Sequence, residues 1–328
     1  MSPVARSMLA IALITFAAAW VPAIVTVPYF LQLLILGLIW VVVAQGQNLI
    51  QGFTGYVSIA QAGFMGLGAY ASTLLSVEAN WPVWVTMLVA PAITAVFALA
   101  VGYPSLRVKG HYFAIVTLAY NMVIFIVLMT WKNFTGGEAG IFNVPRPASV
   151  VVGELQWDLS TRGGYYLLVL AAAAFASMLF ALILHSRVGR VLLAIRENEV
   201  LIEAVGVATW KYKLFAFVTS ASLAGLAGAL YAHFIGFLNP DPFSVEHSLN
   251  AILAVILGGS GTLTGPVVGA FAVVFLPEYL RVAETYRLVT YGLLLVIATI
   301  FMPRGLVPLV VSGWRAARER IARLRASS

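Results

Sequence analysis

The sequence predicts an all-α fold, a polytopic transmembrane helical bundle, on three observations. Of 328 residues, 62% are hydrophobic and only 9% charged, against about 25% charged in soluble domains. Apolar runs of about 20 residues, the length a helix needs to cross a bilayer, recur with short polar breaks between them. The basic residues lie mostly in short loops and toward the C-terminus, where they set orientation across a membrane. The net charge of +7 therefore points to topology and not to nucleic acid. A cysteine count of 0 excludes disulfides, thiol catalysis and thiolate metal sites. One transmembrane domain, residues 1–328, with about eight to ten membrane segments accounts for the chain.

The first span is expected from about Met8 to Val25. It follows Arg6, which marks a cytoplasmic N-terminus. It lacks an A-x-A-like cleavage site, so it reads as a retained helix. Pro22 and Pro28 break its exit. The second span, about Tyr29 to Ala44, ends in Gln45, Gln47, Asn48 and Gln51, then Gly52, Thr54, Gly55 and Ser58. Such a polar patch is tolerated only against protein or a water-filled cavity. The third, about Ile59 to Val77, carries Gly63, Gly66 and Gly68, which admit a close neighbour. The fourth, about Val83 to Tyr103, is closed on the cytoplasmic side by Arg107 and Lys109. The fifth, about His111 to Trp131, contains Thr117 and Asn121. The longest loop, Lys132 to Gly164, holds TGGEAG at Thr135–Gly140. Its basic and acidic residues balance, which suits the external side. The sixth span runs from about Tyr165 to His185.

Next comes SRVGRVLLAIRENEVLIEAVGV, Ser186 to Val207, the one long charge-rich helical run. Val188, Val191, Leu192, Ile195 and Ile202 form an apolar side. Arg196 and Glu199, three apart, are placed to pair, and Gly206 suits a left-handed cap. The reading is an amphipathic cytoplasmic helix over about residues 187–207, built to be gripped by another protein. An ordinary solvated surface helix fits the same pattern. The seventh span, about Lys213 to His233, contains SLAGLAGALYA. This is similar to AGFMGLGAY in the third span, and repeat and coincidence both remain open.

NPDPFS, Asn239 to Ser244, is an external turn. Ser248–Leu257 and Val267–Pro277 are each too short to span, with glycines between them. Orientation on either side requires the pair to cross an even number of times. A re-entrant hairpin or two short broken helices fit, with Gly261, Gly265 and Gly269 offering a flat face. The last span, about Leu288 to Met302, ends in a basic cytoplasmic tail at 304–328.

What is missing narrows the function. No G-x-x-x-x-G-K-[ST] is present, so the chain is no nucleotide-hydrolysing enzyme of that kind. All 12 acidic residues map to loops or span ends, where coupled carriers keep an ionisable group inside the membrane. His111, His185, His233 and His247 lie apart, so no metal site and no cofactor is expected. Gln45, Asn48, Gln61, Thr117 and Asn121 are the intramembrane polar groups. They line a conduit or join helices through hydrogen bonds worth about 0.6 kcal/mol each, and the pattern leaves both open.

The run QNLIQGFTGYVSIAQAGFMGLGAYASTLL resembles the opening signature of branched-chain amino acid ABC transporter permeases. So do HYFAIVTLA, TGGEAGIFNVP, the Ser186–Val207 run, LAGLAGALYAHFIGFLNPDPFS and LGGSGTLTGPVVGA, in the same order. The resemblance is strongest to the LivM type and covers about Leu36 to Gly305. It implies a multi-pass subunit of a bacterial inner-membrane importer for branched-chain or related neutral amino acids. Permeases for urea and short amides look similar. The implied partners are a second, LivH-like permease, two cytoplasmic ATP-binding subunits, a periplasmic substrate-binding protein and membrane lipid. The amphipathic helix then resembles a coupling helix, with Gly189, Arg190, Arg196, Glu197, Asn198, Glu199, Glu203, Ala204 and Gly206 at the matching positions. Glu203-Ala204 followed by Val205 and an early Gly206 departs from the general Glu-Ala-Ala pattern. Thr135, Gly136, Gly137, Glu138, Asn239 and Asp241 are the residues expected to face the binding protein, unless these are plain external loops. A carrier or channel independent of ATP is the rival reading.

Overall fold

The computed structural model describes residues 3–25, 27–108, 110–152, 155–279, 292, 296 and 305–309. The expected last span and the RAARERIARLR run lie outside the described residues. Among the described residues six helices are long and apolar enough to cross a membrane.

α1 (Pro3–Ala19) breaks at Trp20 into a short turn, Val21–Ile24, with Pro22 in its first turn. It leans on the helix that carries Tyr166, whose hydroxyl donates to the Ala18 carbonyl at 3.1 Å. α2 (Pro28–Thr54) starts with Pro28, whose missing N–H costs nothing there. It does not stop at Ala44 as the sequence suggested. It runs on through the polar patch for 27 residues, about 40 Å, and ends where Gly55 takes φ +75°. Helix survives there because the patch is buried against protein, where Gln45, Gln47 and Asn48 donate to carbonyls of neighbouring segments.

An irregular link, residues 55–60, leads to α3 (Gln61–Val77). α4 (Val83–Ser105) and α5 (His111–Thr130) follow. The long loop contains one feature that the sequence reading missed, an antiparallel hairpin of β1 (Val150–Val152) and β2 (Leu155–Trp157), with Val151 opposite Gln156. α6 (Arg162–His185) is capped by Thr161, whose Oγ1 accepts from Gly164 N at 3.1 Å. Just before that cap the Ser160 hydroxyl and amide donate to Asp158, holding its carboxyl below the usual range.

α7 (Arg187–Ala204) is the surface helix and α8 (Thr209–Ile235) the central one. α8 packs on α2, α3 and α4 through small residues. Gly68 of α3 lies backbone to backbone on Gly225, and Gly228 faces the Met65 carbonyl. The two similar glycine stretches thus meet each other across one crossing, where only a missing Cβ allows the approach. Gly228→Ala should destabilise by about 1–3 kcal/mol, because its Cβ would overlap a carbonyl that cannot rotate away. Gly163→Ala, where the nearest atom is Pro22 Cβ at 3.7 Å, should be neutral. Thermal melting of the two purified variants checks this pair.

The expected short pair is present as α9 (Val245–Gly258) and α10 (Gly265–Tyr279), joined by the glycine-rich turn at 259–264. At 14 and 15 residues each is about 21–23 Å long, short of the roughly 30 Å hydrocarbon core. Gly269 rests on the Ala254 carbonyl, so the two legs touch along their backbones.

Candidate functional site

α7 is built from local signals. Ser186 Oγ accepts from Gly189 N at 3.1 Å and caps its start. Gly189 is needed for the tight turn from α6, because a Cβ there would strike the Ile183 carbonyl. At the other end Gly206 takes φ +90° and its N–H reaches the Glu203 carbonyl at 2.9 Å, the left-handed stop that the sequence suggested. One feature differs from the expected single rod. Asn198 leaves helical geometry, at φ −159° and ψ 96°, and its Oδ1 accepts from Leu201 N at 3.0 Å. Asn198 therefore caps a second short helical segment inside α7.

That kink overturns the expected Arg196–Glu199 pair, because it turns the two side chains to different partners. Arg196 Nη1 donates to the Gly52 carbonyl at 2.6 Å, in the last turn of α2. A guanidinium there satisfies an orphan carbonyl and faces the negative end of the helix dipole. Glu199 Oε1 meets Lys213 Nζ of α8 at 2.6 Å, with side chains only 13% and 2% exposed. The Tyr56 hydroxyl, from the 55–60 link, donates to Glu199 Oε2 at 2.6 Å. Lys213 Nζ in turn lies 3.2 Å from that hydroxyl and 4.5 Å from the ring centroid. Thr209 Oγ1 donates to Glu203 Oε1 at 2.8 Å. One buried cluster thus bonds α7 to α8 and to the α2–α3 link. The sequence marks Lys213 only as the start of the seventh span and does not reveal Tyr56, Thr209 and Gly52 as partners; a lysine one turn inside an apolar span is the available signal. Gly189 is buried, whereas Arg190 and Glu197 are exposed. So are the apolar side chains Val200, Leu201 and Val205, by 68%, 60% and 72%.

The five intramembrane polar residues are all buried and bonded within this chain. Two of them satisfy the irregular backbone that opens α3. Thr117 Oγ1 accepts from Ile59 N at 3.0 Å, and Asn121 Oδ1 accepts from Gly63 N at 2.5 Å. Ser248 Oγ accepts from Ala62 N at 2.8 Å, and Gln47 Nε2 donates to the Ser58 carbonyl at 3.1 Å. A helix start inside a bilayer needs such partners, since no water supplies them. Gln61 reaches the Val43 and Ser220 carbonyls at 3.3 Å each. Asn48 grips the α9–α10 turn, donating to the Thr262 carbonyl at 2.9 Å and accepting from Gly261 N at 2.8 Å. Gln45 Nε2 donates to the Leu263 carbonyl at 3.0 Å. Gln45 Oε1 and Gln47 Oε1 have no partner among the described residues.

At the opposite end the two loops expected to face outward lie side by side. Ile141 and Leu238 exchange backbone hydrogen bonds of 2.8 and 3.0 Å. Thr135 and Gly137 are buried in their turn, Thr135 Oγ1 donating to the Leu128 carbonyl at 2.7 Å. Gly136 takes φ +75°, and Glu138 and Asp241 are exposed. Asn239 Nδ2 donates to Asp241 Oδ2 at 2.8 Å. His233, one of the four scattered histidines, is buried between Ser72 Oγ at 2.8 Å and the Pro145 carbonyl at 2.6 Å. No group of three His, Cys, Asp or Glu suited to a metal ion occurs among the described residues.

Comparison with known proteins agrees with this architecture. Residues 29–299 match the family described as "Branched-chain amino acid transport system / permease component". The chain is 30% identical to the high-affinity branched-chain amino acid transport permease LivM of Escherichia coli (strain K12), over 94% of this chain and 76% of that one. It is 29% identical to LivM of Salmonella typhimurium over the same shares. LivH of Escherichia coli (strain K12) is 25% identical, over 85% of this chain and 96% of its own. No solved structure matches. With most of its length inside the matched family and six membrane-length helices in place, this chain is a multi-pass membrane protein that belongs to the permease components of branched-chain amino acid transport systems, of the LivM type.

Proposed function

We propose that this chain is one of two permease subunits of an ATP-driven importer of branched-chain amino acids in a bacterial inner membrane, and that α7 receives the stroke of an ATP-binding subunit. The observation that carries the reading is the two-sidedness of α7. Its inner charges are bonded to α2, α8 and the α2–α3 link. Its outer side presents Val200, Leu201 and Val205 with Arg190, Glu197 and the Glu203 segment. An apolar tip ringed by charge is what a docking groove can hold. The basic end residues Arg107 and Lys211 support a cytoplasmic position for this side.

A push on α7 then moves the cytoplasmic ends of α2 and α8 and the non-helical link together. Transport needs only that the two outward and inward arrangements differ in these contacts. Thr117, Asn121, Gln61, Gln45 and Asn48 serve as staples that keep the broken span in one piece. The passage runs where this subunit meets a second, LivH-like permease. The paired external loops, with Glu138, Asn239 and Asp241 at their surface, are the landing for a periplasmic binding protein. The relatives named for branched-chain amino acids favour that cargo over urea or short amides.

The reading is tested by Val200→Asp with Leu201→Asp. These exposed positions carry no packing, so insertion and melting temperature should stay unchanged. Co-purification of the ATP-binding subunits and ATP-dependent leucine uptake should fall at least tenfold. Undiminished co-purification and uptake would remove α7 from the docking surface.

A further inference from the structure

Away from α7, an apolar groove of about 680 Å³ runs between α4, α6 and α8, lined by Leu88, Pro91, Phe175, Leu179, Val218 and Leu226 among others. A second hollow of about 400 Å³, at the start of α8, is lined by Leu99, Trp210, Lys211, Leu214 and Phe215. Val218 and Thr219 line both, so the two are continuous. From Lys211 to Leu226 the groove follows α8 over 15 residue steps, about 22 Å at the helical rise. That exceeds the roughly 15 Å of hydrocarbon in one leaflet. The groove therefore reaches from headgroup level past the bilayer centre.

At the Trp210–Lys211 end of this hollow stands a row in which two rings lie between two cations. The Arg107 guanidinium carbon lies 5.1 Å from the Tyr103 ring centroid. Tyr103 and Trp210 meet edge to face at 5.8 Å, and Lys211 Nζ lies 5.7 Å from the Trp210 ring. Neither cation has a carboxylate partner among the described residues. Aromatic side chains at this depth sit at the membrane interface, and the two cations face the headgroup layer.

We infer that the Arg107–Tyr103–Trp210–Lys211 row and the groove behind it form a binding site for one anionic phospholipid. Its phosphate sits on Lys211, which lines the hollow, Arg107 adds positive charge from the far side of the two rings, and one acyl chain lies along Leu99, Val218 and Leu226. Charge complementarity selects the occupant: an apolar slot alone takes any lipid, whereas two nearby cations with no carboxylate partner among the described residues favour a net negative headgroup. Lys211 is two residues from the buried Lys213, so the lipid also steadies the start of α8. The inference requires only that the chain spans a membrane and is independent of its cargo.

The test is native mass spectrometry of the full transporter released from vesicles of equal phosphatidylglycerol and phosphatidylcholine. A surface Lys or Arg is worth roughly fivefold toward anionic lipid. Wild type should therefore retain phosphatidylglycerol over phosphatidylcholine by about tenfold or more. Arg107→Gln with Lys211→Gln should abolish the preference. Ala171→Trp, which fills the exposed wall of the groove and leaves both cations, should abolish it too. Equal retention of the two lipids by wild type overturns the site, as does a preference that survives either variant. Since the chain has no native cysteine, Leu88→Cys adds a second reading. Its crosslinking to another protein subunit would assign the groove to protein and overturn the lipid, and labelling by a lipid-soluble maleimide supports it.

Discussion

Lys213→Met alone should cost about 3–5 kcal/mol of stability, because it strands the Glu199 carboxylate in a site built for a pair. Adding Glu199→Gln should recover most of that loss, since two neutral groups of similar volume replace a buried pair at little or no net cost. The double variant should nonetheless transport poorly. If α7 couples as proposed, ATP hydrolysis by the assembled transporter should persist while leucine uptake per ATP falls about tenfold, because α7 no longer holds α8 and Tyr56 through charge-assisted bonds. Thermal melting in detergent and ATP-driven uptake in proteoliposomes measure the two effects separately. A stable double variant with wild-type uptake per ATP would reduce the pair to a folding contact and leave transmission to the Arg196–Gly52 bond.

Asn121→Leu should lower the melting temperature and leave the apparent KM for solute unchanged in the fraction that survives. The Asn121 oxygen accepts from Gly63 N and from Ser248 Oγ, at 2.5 and 3.2 Å. Leucine keeps the volume and removes the acceptor, so the Gly63 N–H is left unbonded at a helix start inside the bilayer, at a cost of about 1–3 kcal/mol. A residue that lines the passage behaves in the opposite way, with a shifted KM and an unchanged melting curve. Thr117→Val should repeat the pattern in milder form, through the Ile59 N–H. Melting curves and uptake kinetics on the same preparations distinguish the two roles.

Hydropathy alone located the helices that face lipid over most of their surface. α4, α5 and α6 begin and end within about three residues of expectation, because every backbone group in a bilayer must be bonded within its own segment. α1 starts at Pro3, five residues before the expected Met8; the longest extension lies where lipid is replaced by protein. α2 continues ten residues beyond Ala44 to Thr54, since its polar turn is wrapped by α7, α8 and the α9–α10 turn. The hairpin of β1 and β2 sits in a loop that no hydropathy rule describes. The short α9–α10 pair was legible from its length and its glycines, as was the stop at Gly206.

The candidate site was half legible. Charge density and helical period singled out α7 from everything else in the chain, and the family motifs agreed. The internal bonds of α7 were not legible, because a three-residue spacing assumes an unbroken helix and Asn198 breaks it. The polar residues were found by type: the sequence left conduit and staple open, and the structure gives each of them hydrogen bonds to neighbouring segments.

By itself, then, the sequence determined that the chain spans a membrane many times, where most spans lie and which charged helix stands outside them. Those properties depend on one-dimensional quantities, namely length, hydropathy and helical period. Only the tertiary structure decided that Arg196 closes α2, that Glu199 belongs to Lys213, and that Thr117, Asn121 and Ser248 cap a span that starts inside the protein. Those pairings join residues 144, 14, 58 and 186 positions apart. A buried donor takes whichever acceptor the packed helices bring within about 3 Å, and that choice is made in space and not along the chain.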